Sequence, residues 1–381
     1  MKKDHDIKRL ARRDALGRVA AGIGVLTLLN DGGVEAQQRP VAAPTKKGMV
    51  NTVLGPIPTA KLGLCLSHEH ICTASAGIWQ SWPQLMGGRE AFIRQSVDLL
   101  KQAKDEGLST FQDVGPIDLG RDVRLMEEIS RKSGVQVIAA TGHWLDPSRV
   151  MNARTVEELA DFFQHEIEVG IDGTGIKAGV IKVANGGATI NGFGERHVRA
   201  AARAAKATGI PITTHSPATR ERTGEAQAAI FESEGLSPSR VCIGHSDNAP
   251  ADYQLAIVKR GYFIGMDQFP TSLPPAPGAP APAPPPAGQT PPLALTLDQR
   301  VAQIKALIDA GYAGQIMLSN DWSLAMPIQP TANDRFRRAQ NPDGILLVIR
   351  KVIPRLKQMG VSDAAIHTMT VEAPRRFFEG A

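Results

Sequence analysis

The chain contains the stretch Leu62-Gly63-Leu64-Cys65-Leu66-Ser67-His68-Glu69-His70-Ile71, an apolar run that ends in two histidines one residue apart. On a β-strand, residues i and i+2 point to the same face, so His68 and His70 can aim both imidazoles at one point. An isolated pair of this kind is more often structural than metal-binding. The pair therefore indicates a metal site only if other strands end in a similar way.

Four later apolar runs also lead to a residue that can hold a metal ion. One carries Lys182 in its interior, two end at His215 and His245, and the last leads to Asp321. Imidazole nitrogens and a carboxylate, without a thiolate, suit Zn²⁺ or a similar divalent ion. With His68 and His70, these residues predict one metal site built at the ends of five strands.

Strands and helices alternate along the chain after the first histidine pair. Eight strand–helix units, with strands that read as continuous apolar runs, predict an α/β fold, a single (β/α)8 TIM barrel. An open doubly wound sheet is the alternative, but such a sheet gathers its ligands at one switch point. Five strands supply candidate ligands here, and a closed barrel brings the C-terminal ends of all five together.

The first 48 residues predict an export signal and a linker. Basic residues up to Arg13 precede an apolar run, Val19–Leu29, which is too short to span a bilayer. Arg12-Arg13 resembles a twin-arginine signal, and Val34-Glu35-Ala36 offers small residues before a cleavage point after Ala36. An amphipathic N-terminal helix that stays attached is the alternative. The expected organisation is a signal peptide at 1–36, a linker at 37–48 and one domain at 49–381.

Composition excludes several classes of function. The formal charge of +5 comes partly from the leader, and no basic stripe is interleaved with aromatic residues, so we expect no nucleic-acid binding. No glycine-rich phosphate motif follows the first strand, and no later segment can stably span a membrane. Cys65, Cys72 and Cys242 cannot all pair, and we expect free, mostly structural thiols. A Cys65–Cys72 disulfide in an oxidising compartment is the alternative.

Lys182 is the unusual member of the predicted metal site, because an ammonium group is a poor neighbour for cations. A neutral lysine can react with CO2 to form a carbamate whose two oxygens each bind one metal ion. Two divalent ions close together can share a hydroxide and lower the pKa of water. A buried structural lysine paired with an acid is the alternative. The two predicted ligand groups are His68, His70 and Asp321 for one ion, and His215 and His245 for the other.

Other residues of suitable type have more ordinary explanations. Asp113 also ends an apolar strand, but it has no partner in register, so we expect it to cap a helix or to pair with an arginine. His143 follows the third strand and could line the pocket. His165, His197 and His367 fall on predicted helices and are expected to take no part in the site.

A proline-rich segment, residues 274–292, interrupts the alternation between the seventh strand and its helix. The run Pro274–Pro286 contains only proline, alanine and glycine, a composition that favours a polyproline II arm without internal hydrogen bonds. In a TIM barrel this connection lies at the active-site end. We expect a passive insertion, with a working substrate lid as the alternative.

This pattern resembles the bacterial phosphotriesterases (parathion hydrolases) of the amidohydrolase superfamily, from about Met49 to Phe378. The resemblance implies a binuclear metal centre with N6-carboxylated Lys182. It also implies that Asp321 accepts the proton of a metal-bridging hydroxide, which attacks a phosphotriester. The stretches that carry the resemblance are Asn51–Val53, His68–Cys72, Asp118–Val123, Gly179–Ala184, Phe231–Asp247 and Ser319–Trp322.

The chain departs from the family pattern at the proton relay and in the substrate pocket. A histidine and an aspartate that carry the proton away in the family are replaced here by Gln268 and Asn248, and neither amide titrates. In the pocket, Cys72 and Trp144 match the family. The best organophosphate hydrolases have phenylalanine, histidine and leucine where this chain has Leu145, Thr271 and Ser323. Less aromatic surface weakens the grip on an aryl group by about 1 kcal/mol per ring.

The sequence therefore predicts a binuclear metal-dependent hydrolase, most simply with two Zn²⁺ ions, that cleaves phosphotriesters with an aryl leaving group. A lactonase or carboxylic esterase on the same site is the alternative, because a metal that polarises a phosphoryl oxygen also polarises a carbonyl. A non-catalytic periplasmic binding protein is a third hypothesis. The resemblance and the leader imply a homodimer that acts on small esters and is exported to the periplasm, with inner-membrane association left open.

Overall fold

The computed structural model describes residues 48–187, 189–216, 222–269, 295–328 and 331–380. The predicted signal peptide, nearly all of the predicted linker and the proline-rich segment 274–292 lie outside these residues. An antiparallel hairpin of β1 (Met49–Thr52) and β2 (Gly55–Pro58) precedes the main sheet. The next eight strands are β3 (Leu64–Cys72), β4 (Leu108–Asp113), β5 (Gln136–Gly142), β6 (Val180–Ala184), β7 (Ile212–His215), β8 (Val241–Ile243), β9 (Phe263–Met266) and β10 (Ile316–Leu318).

A short strand, β11 (Ser323–Ala325), closes these parallel strands into a barrel. It follows directly on β10 and pairs in parallel with β3, where Ser323 lies opposite His70. Between the two strands, the backbone N–H of Asp321 donates to the carbonyl of His68 at 2.9 Å. The strand order β10-β9-β8-β7-β6-β5-β4-β3-β11 therefore describes a ring whose ends meet. The predicted TIM barrel is confirmed, and the open doubly wound sheet is excluded.

Helices connect successive strands around the outside of the barrel. Thr155 begins one of them with the predicted capping box, because its hydroxyl and the Glu158 carboxylate accept each other's backbone N–H groups. Among the described residues, no helix combines the length and apolar character needed to cross a bilayer. The helices are α1 (Ile78–Ser81), α2 (Arg89–Asp105), α3 (Val123–Ser133), α4 (Arg149–Asn152), α5 (Val156–Glu168), α6 (Gly192–Thr208), α7 (Thr223–Ser233), α8 (Ala251–Lys259), α9 (Leu297–Asp309), α10 (Thr331–Gln340), α11 (Ile353–Gln358), α12 (Asp363–His367) and α13 (Ala373–Glu379).

The C-terminal helices are less regular than the sequence predicts. The sequence predicts one helix from about Leu346 to Met359, whereas the structure has a π-helical segment, Val348–Val352, before α11. A second π-helical segment, Thr368–Glu372, precedes α13. Each is followed within two residues by a proline, Pro354 or Pro374. Because proline has no N–H to donate to the carbonyl four residues earlier, the hydrogen bonds before it widen to the π spacing.

Two apolar layers hold the barrel together. The larger lies between the strands and the outer helices. The smaller fills the barrel interior and is closed by the N-terminal hairpin and α13. With apolar side chains packed at that end, the opposite, C-terminal end of the strands is left for polar residues. The inner layer contains Val50, Ile138, Val180, Cys242, Phe263, Met317, Phe377 and Phe378.

All three cysteines are buried free thiols. Cys65 and Cys72 lie near opposite ends of β3, and seven steps along a strand separate them by roughly 20 Å. This excludes a disulfide between them, which requires Cα atoms within about 7 Å.

Candidate metal centre

The six predicted ligands meet at the C-terminal end of the barrel. His68 and His70 lie on β3, Lys182 lies on β6, and His215 ends β7. The other two follow strand ends, His245 after β8 and Asp321 after β10. All six line one cleft, together with Thr73, Leu119, Trp144 and Met326.

Asp321 faces ligands on both sides of the cleft. Its Oδ1 lies 3.2 Å from Nε2 of His70 and 3.9 Å from Nε2 of His68. Its Oδ2 lies 4.0 Å from Nε2 of His245, which in turn is 2.7 Å from Nδ1 of His215. One carboxylate therefore stands between two pairs of imidazole nitrogens.

Lys182 is buried within the same group of nitrogens. Its side chain is 1% exposed, and Nζ lies 2.7 Å from Nε2 of His68. Burial lowers the pKa of Lys182 to about 8, although Asp321 and Asp267 act to raise it. A substantial fraction of this lysine is thus uncharged in mildly alkaline solution.

The electrostatics of the centre favour uncharged imidazoles at His68 and His215 and an ionised carboxylate at Asp321, whereas Asp267 raises the pKa of His245 against the effect of burial. Burial, reinforced by Lys182, lowers the pKa of His68 to about 3, and burial holds the pKa of His215 well below its usual value. Burial acts to raise the pKa of Asp321, but the hydrogen bond to His70 and the nearby histidines outweigh it and hold that pKa well below its ordinary range. Neutral imidazoles beside a carboxylate form the donor set that divalent zinc prefers, so these residues fit a metal ion.

Two of the six residues have an unusual backbone conformation. His245 and Asp321 have positive φ angles, 58° and 50°, in the left-handed region that residues other than glycine seldom occupy. Such strain persists only where surrounding contacts impose it, and it concentrates at functional sites. Here it occurs where the chain leaves a strand and its side chain enters the cleft.

Asp267, which follows β9, is a site residue that the sequence analysis missed. Its Oδ1 accepts hydrogen bonds from Nδ1 and from the backbone N–H of His245, both at 2.8 Å. Its Oδ2 lies 3.2 Å from Nδ1 of His68. With Nδ1 of both imidazoles facing this carboxylate, their Nε2 atoms face the cleft, the arrangement that orients metal-binding histidines. A Cβ at Gly265 would lie 2.2 Å from Oδ2 of Asp267, so glycine leaves room for the carboxylate.

Asp267 also had a recognisable signal in the sequence. Asp267 stands at the end of an apolar run, and Asp321 comes shortly after another. The argument that placed Asp321 at this end of the barrel would therefore have placed Asp267 there too. What the sequence does not show is that its carboxylate faces two histidines.

Glu69 lies between the two histidines of β3 and is completely buried on the other face of the strand. Its Oε1 accepts from Ser319 Oγ, the Asn320 N–H and Asn320 Nδ2, at 2.7 to 2.8 Å. Its Oε2 accepts from the Trp322 N–H at 2.9 Å. Burial raises the pKa of Glu69 to about 8, and the four donors act in the opposite direction. Glu69 thus fixes the segment that carries Asp321.

Asp113 fixes the end of β3 in a different way from that predicted. Its carboxylate accepts the backbone N–H groups of Ile71 at 2.7 Å and Gly115 at 2.9 Å. The expectation that it caps a helix or pairs with an arginine was wrong. Because β4 adjoins β3, the donors nearest to Asp113 are backbone amides, one near the end of β3 and one just beyond the end of β4.

Trp144 forms one wall of the cleft and is held there by Asp118. Its ring lies edge-on to His215, with centroids 5.9 Å apart. Both carboxylate oxygens of Asp118 accept the Trp144 backbone N–H at 2.9 Å, and Oδ2 also accepts the Asp146 N–H at 3.2 Å. The loop after β4 therefore positions the loop after β5.

The other predicted pocket residues lie around the cleft rather than in its wall. Cys72 is 6% exposed, and Ser323 is completely buried with its hydroxyl 2.5 Å from that of Thr73. Leu145 is 41% exposed, outside the set that lines the cleft. Gln268 donates from Nε2 to Oδ2 of Asp321 at 3.1 Å.

Two further residues were predicted near the pocket, and the structure describes one of them. Thr271 lies outside the described residues. His143 is fully buried against Phe162, Phe163 and His197, so it does not line the cleft as the sequence allowed.

Comparison with known proteins gives a consistent result. Residues 48–378 match the model of the phosphotriesterase family. An aryldialkylphosphatase of Saccharolobus solfataricus is 34% identical over 327 residues, which cover 84% of this chain and 96% of the relative. A phosphotriesterase homology protein of Mycobacterium tuberculosis is 32% identical over 347 residues, 87% and 97% of the two chains.

A more distant relative has a different printed activity. The N-acetyltaurine hydrolase of Xenopus tropicalis is 23% identical over 369 residues, which cover 87% of this chain and 97% of the relative. The matches extend over nearly all of the described barrel, from the hairpin to the C-terminal helices, and the relatives' names indicate hydrolases. The chain belongs to the phosphotriesterase family.

Proposed function

We propose that the protein is a binuclear metal-dependent hydrolase that cleaves phosphotriesters with an aryl leaving group. The observation that carries the proposal is Asp321 standing between the imidazoles of His68 and His70 on one side and His245 on the other, at 3.2 to 4.0 Å. The family match and the aryldialkylphosphatase relative support this activity.

Two Zn²⁺ ions are the metals that we propose for the site. When bound, they polarise the ester bond and lower the pKa of a water molecule, so that hydroxide becomes available at neutral pH. His68, His70 and Asp321 hold one ion in this proposal, and His215 and His245 hold the other.

Lys182 lies between the two ligand groups and is proposed to bridge them as a carbamate. Its pKa of about 8 makes the uncharged amine available. In the carboxylation step, Nζ attacks the carbon of CO2, a C–N bond forms as one C=O π bond breaks and its electrons move to oxygen, and Nζ releases one proton to solvent. The product is an anion with two oxygens, which replaces a cation that would repel the metal ions.

Asp321 is proposed to accept the proton released in the reaction. Neither Gln268 nor Asn248 can take it further, because an amide neither gains nor loses a proton near neutral pH. The side chain of Asp321 is 19% exposed, so the carboxylate has its own contact with solvent. We therefore propose that the proton leaves Asp321 directly to water in the cleft, while Trp144, Leu119 and Met326 supply an apolar wall for the leaving group.

Hydrolysis of a lactone or carboxylic ester is the second candidate function. Leu145 points outward and the hydroxyl of Ser323 is buried, so among the described residues Trp144 is the aromatic ring beside the ligands. This favours a substrate without a large aryl group. The relative named N-acetyltaurine hydrolase supports a carbonyl substrate on a related barrel.

The two candidates are separated by kcat/KM of the zinc-loaded protein on a diethyl aryl phosphate and on an aromatic lactone, measured side by side. A tenfold or greater preference for the triester, about 1.4 kcal/mol of transition-state stabilisation, is the expected result. A preference for the lactone would instead make this a carboxyl-ester hydrolase. Absence of turnover with full zinc occupancy would favour a binding protein.

We also propose that residues 1–36 direct export to the periplasm and that the mature protein is a homodimer. The twin arginines and the apolar run of the leader support export. Fractionation of cells that express the whole chain tests the location, and replacement of Arg12 and Arg13 by lysine should retain the protein in the cytoplasm. Sedimentation of the purified protein tests the dimer.

A further inference from the structure

Arg300 is a completely buried arginine behind the metal centre. It lies on α9, is 0% exposed, and is the largest fully buried side chain of the described residues. Its guanidinium donates to Asp247, which is equally buried. It does not line the cleft, so any effect on the ligands must pass through other residues.

The first connection runs from Arg300 through Asp247 to the end of β9. Asp247 accepts the backbone N–H of Asp267 at 3.2 Å and that of Gln268 at 3.1 Å. Asp267 in turn faces Nδ1 of His68 and of His245. Arg300 thus compensates the negative charge of Asp247. The Asp247 carboxylate in turn holds the backbone of Asp267, the residue that faces His68 and His245.

The second connection runs through two amides to Asp321. Arg300 donates to Oδ1 of Asn248, Asn248 donates from Nδ2 to Oε1 of Gln268, and Gln268 donates from Nε2 to Oδ2 of Asp321 at 3.1 Å. The direction of this chain is fixed at its origin, because an arginine has donors and no acceptor. Each amide must therefore accept on the side of Arg300 and donate on the side of the metal centre.

We propose that Arg300 is a positioning residue for the metal centre, which it acts on through Asp247 and through the directed amide chain Asn248–Gln268. At the end of this row of hydrogen bonds, Gln268 donates to Oδ2 of Asp321. Oδ1 of Asp321 is then left to face His68 and His70. The inference rests on the metal centre of the proposed function but is independent of the ester that is cleaved.

The decisive variant is Asn248→Asp. It preserves the size of the side chain but removes the N–H that holds Gln268 Oε1. Gln268 must then turn its NH2 towards residue 248, which places its carbonyl oxygen against Oδ2 of Asp321. We expect zinc affinity to fall by about 10- to 100-fold, the usual cost of losing a hydrogen-bond partner of a metal ligand. Titration of the metal-free protein against a chromophoric chelator measures this directly.

A compensating variant tests the direction of the chain. In the double variant Asn248→Asp/Gln268→His, the imidazole can donate from one ring nitrogen to Asp321 and interact through the other with the new carboxylate. We expect it to recover most of the zinc affinity that Asn248→Asp loses. A double variant that binds zinc no better than Asn248→Asp would overturn the directed chain.

Arg300→Met removes the origin of both connections, and Arg121→Met is its matched control. Arg121 is also buried, and it forms a bidentate salt bridge with Glu166, which is not one of the candidate ligands. Both variants should unfold at a lower temperature, but only Arg300→Met should lose zinc affinity. If Arg300→Met does not fold, Asn248→Asp decides the matter alone.

Three results would contradict the proposal or its premise. Asn248→Asp with unchanged zinc affinity would exclude the amide chain. Equal losses of zinc affinity in Arg121→Met and Asn248→Asp would reduce the effect to general destabilisation. If the unaltered protein binds no zinc, the proposed function itself fails, so the two failures are distinguishable.

Discussion

Nζ of Lys182 and Nε2 of His68 lie 2.7 Å apart inside the barrel. The contact is possible because burial and the nearby lysine lower the pKa of His68 to about 3, which leaves an uncharged imidazole that can accept a hydrogen bond. We predict that Lys182→Met, which keeps the apolar stem but removes the nitrogen, lowers bound zinc below two ions per chain. Hydrolysis should fall by at least about 10²-fold.

Metal analysis and turnover of the purified variant measure both effects of Lys182→Met. Lys305→Met is the control, because Lys305 forms a surface ion pair with Asp309 on α9 and should affect neither. A Lys182→Met protein that keeps two zinc ions and full activity would contradict the bridging role.

Asp267→Asn should weaken the metal centre without a direct change to any candidate ligand. The asparagine can still accept at one position, but its NH2 then faces Nδ1 of either His68 or His245 and drives that imidazole away from its present orientation. We predict a loss of about 10- to 100-fold in zinc affinity. Glu166→Gln, a change at a buried acid that pairs with Arg121, should leave zinc affinity unaltered. Equal zinc affinity in Asp267→Asn and wild type would show that these contacts do not orient the imidazoles.

Glu69→Gln should destabilise the segment that carries Asp321. The carboxyl group accepts four hydrogen bonds, and because burial raises its pKa to about 8 it carries at most one hydrogen of its own at neutral pH. The amide of glutamine carries two, so one more N–H faces a donor such as the Trp322 N–H. A buried donor without an acceptor costs about 1–3 kcal/mol, so denaturant unfolding at neutral pH should show a loss of that size. Glu127→Gln, on the exposed face of α3, serves as the control. An unchanged free energy of unfolding in Glu69→Gln would refute this account.

Asp118 predicts a pH dependence of stability. Burial raises its pKa from 3.8 to about 6, although the N–H groups of Trp144 and Asp146 oppose the change. Because the folded state binds this proton more tightly than the unfolded state, its contribution to stability is complete below about pH 4 and is lost as the pH rises through 6. Asparagine does not titrate, so wild type should lose roughly 2–3 kcal/mol relative to Asp118→Asn between pH 4 and 6.

Chemical denaturation across that pH range checks the Asp118 prediction. Groups that titrate in both proteins cancel in the difference between wild type and Asp118→Asn. A constant difference between wild type and Asp118→Asn would show that the pKa of Asp118 is not raised.

The candidate ligands could be predicted because the pattern that marks them is local. His68, His70 and His215 lie on apolar strands, and strand direction alone then gathers them at one end of the barrel. The sequence also showed that the chain departs from the family pattern at Gln268 and Asn248, where amides replace groups that titrate. Their connection to Arg300 could not be predicted, because Arg300 lies about 50 residues further along the chain on a helix with no distinguishing pattern.

A closed barrel was predicted, but the strand that closes it was beyond prediction from local pattern. The strand β11 has three residues, Ser323–Ala325, too few to show an apolar period, and its pairing with β3 follows from the left-handed conformation of Asp321. Likewise, Asp113 holds the β3 end through backbone amides that no side-chain pattern reveals. Contacts of this kind depend on the tertiary structure that they help to form.

The seam between β3 and the segment 319–325 joins residues about 250 positions apart, as in the hydrogen bond from the His68 N–H to Ser319 Oγ. Contacts between residues so far apart in the sequence form slowly, because the entropy of loop closure is lost before the contacts can form. A ribosome must therefore release most of the polypeptide before the two edges can meet. Since His68 and His70 stand on one edge and Asp321 on the other, the ligand set is split until that moment. Binding of the proposed zinc ions would thus distinguish a closed barrel from one in which β3 and β11 have not yet paired.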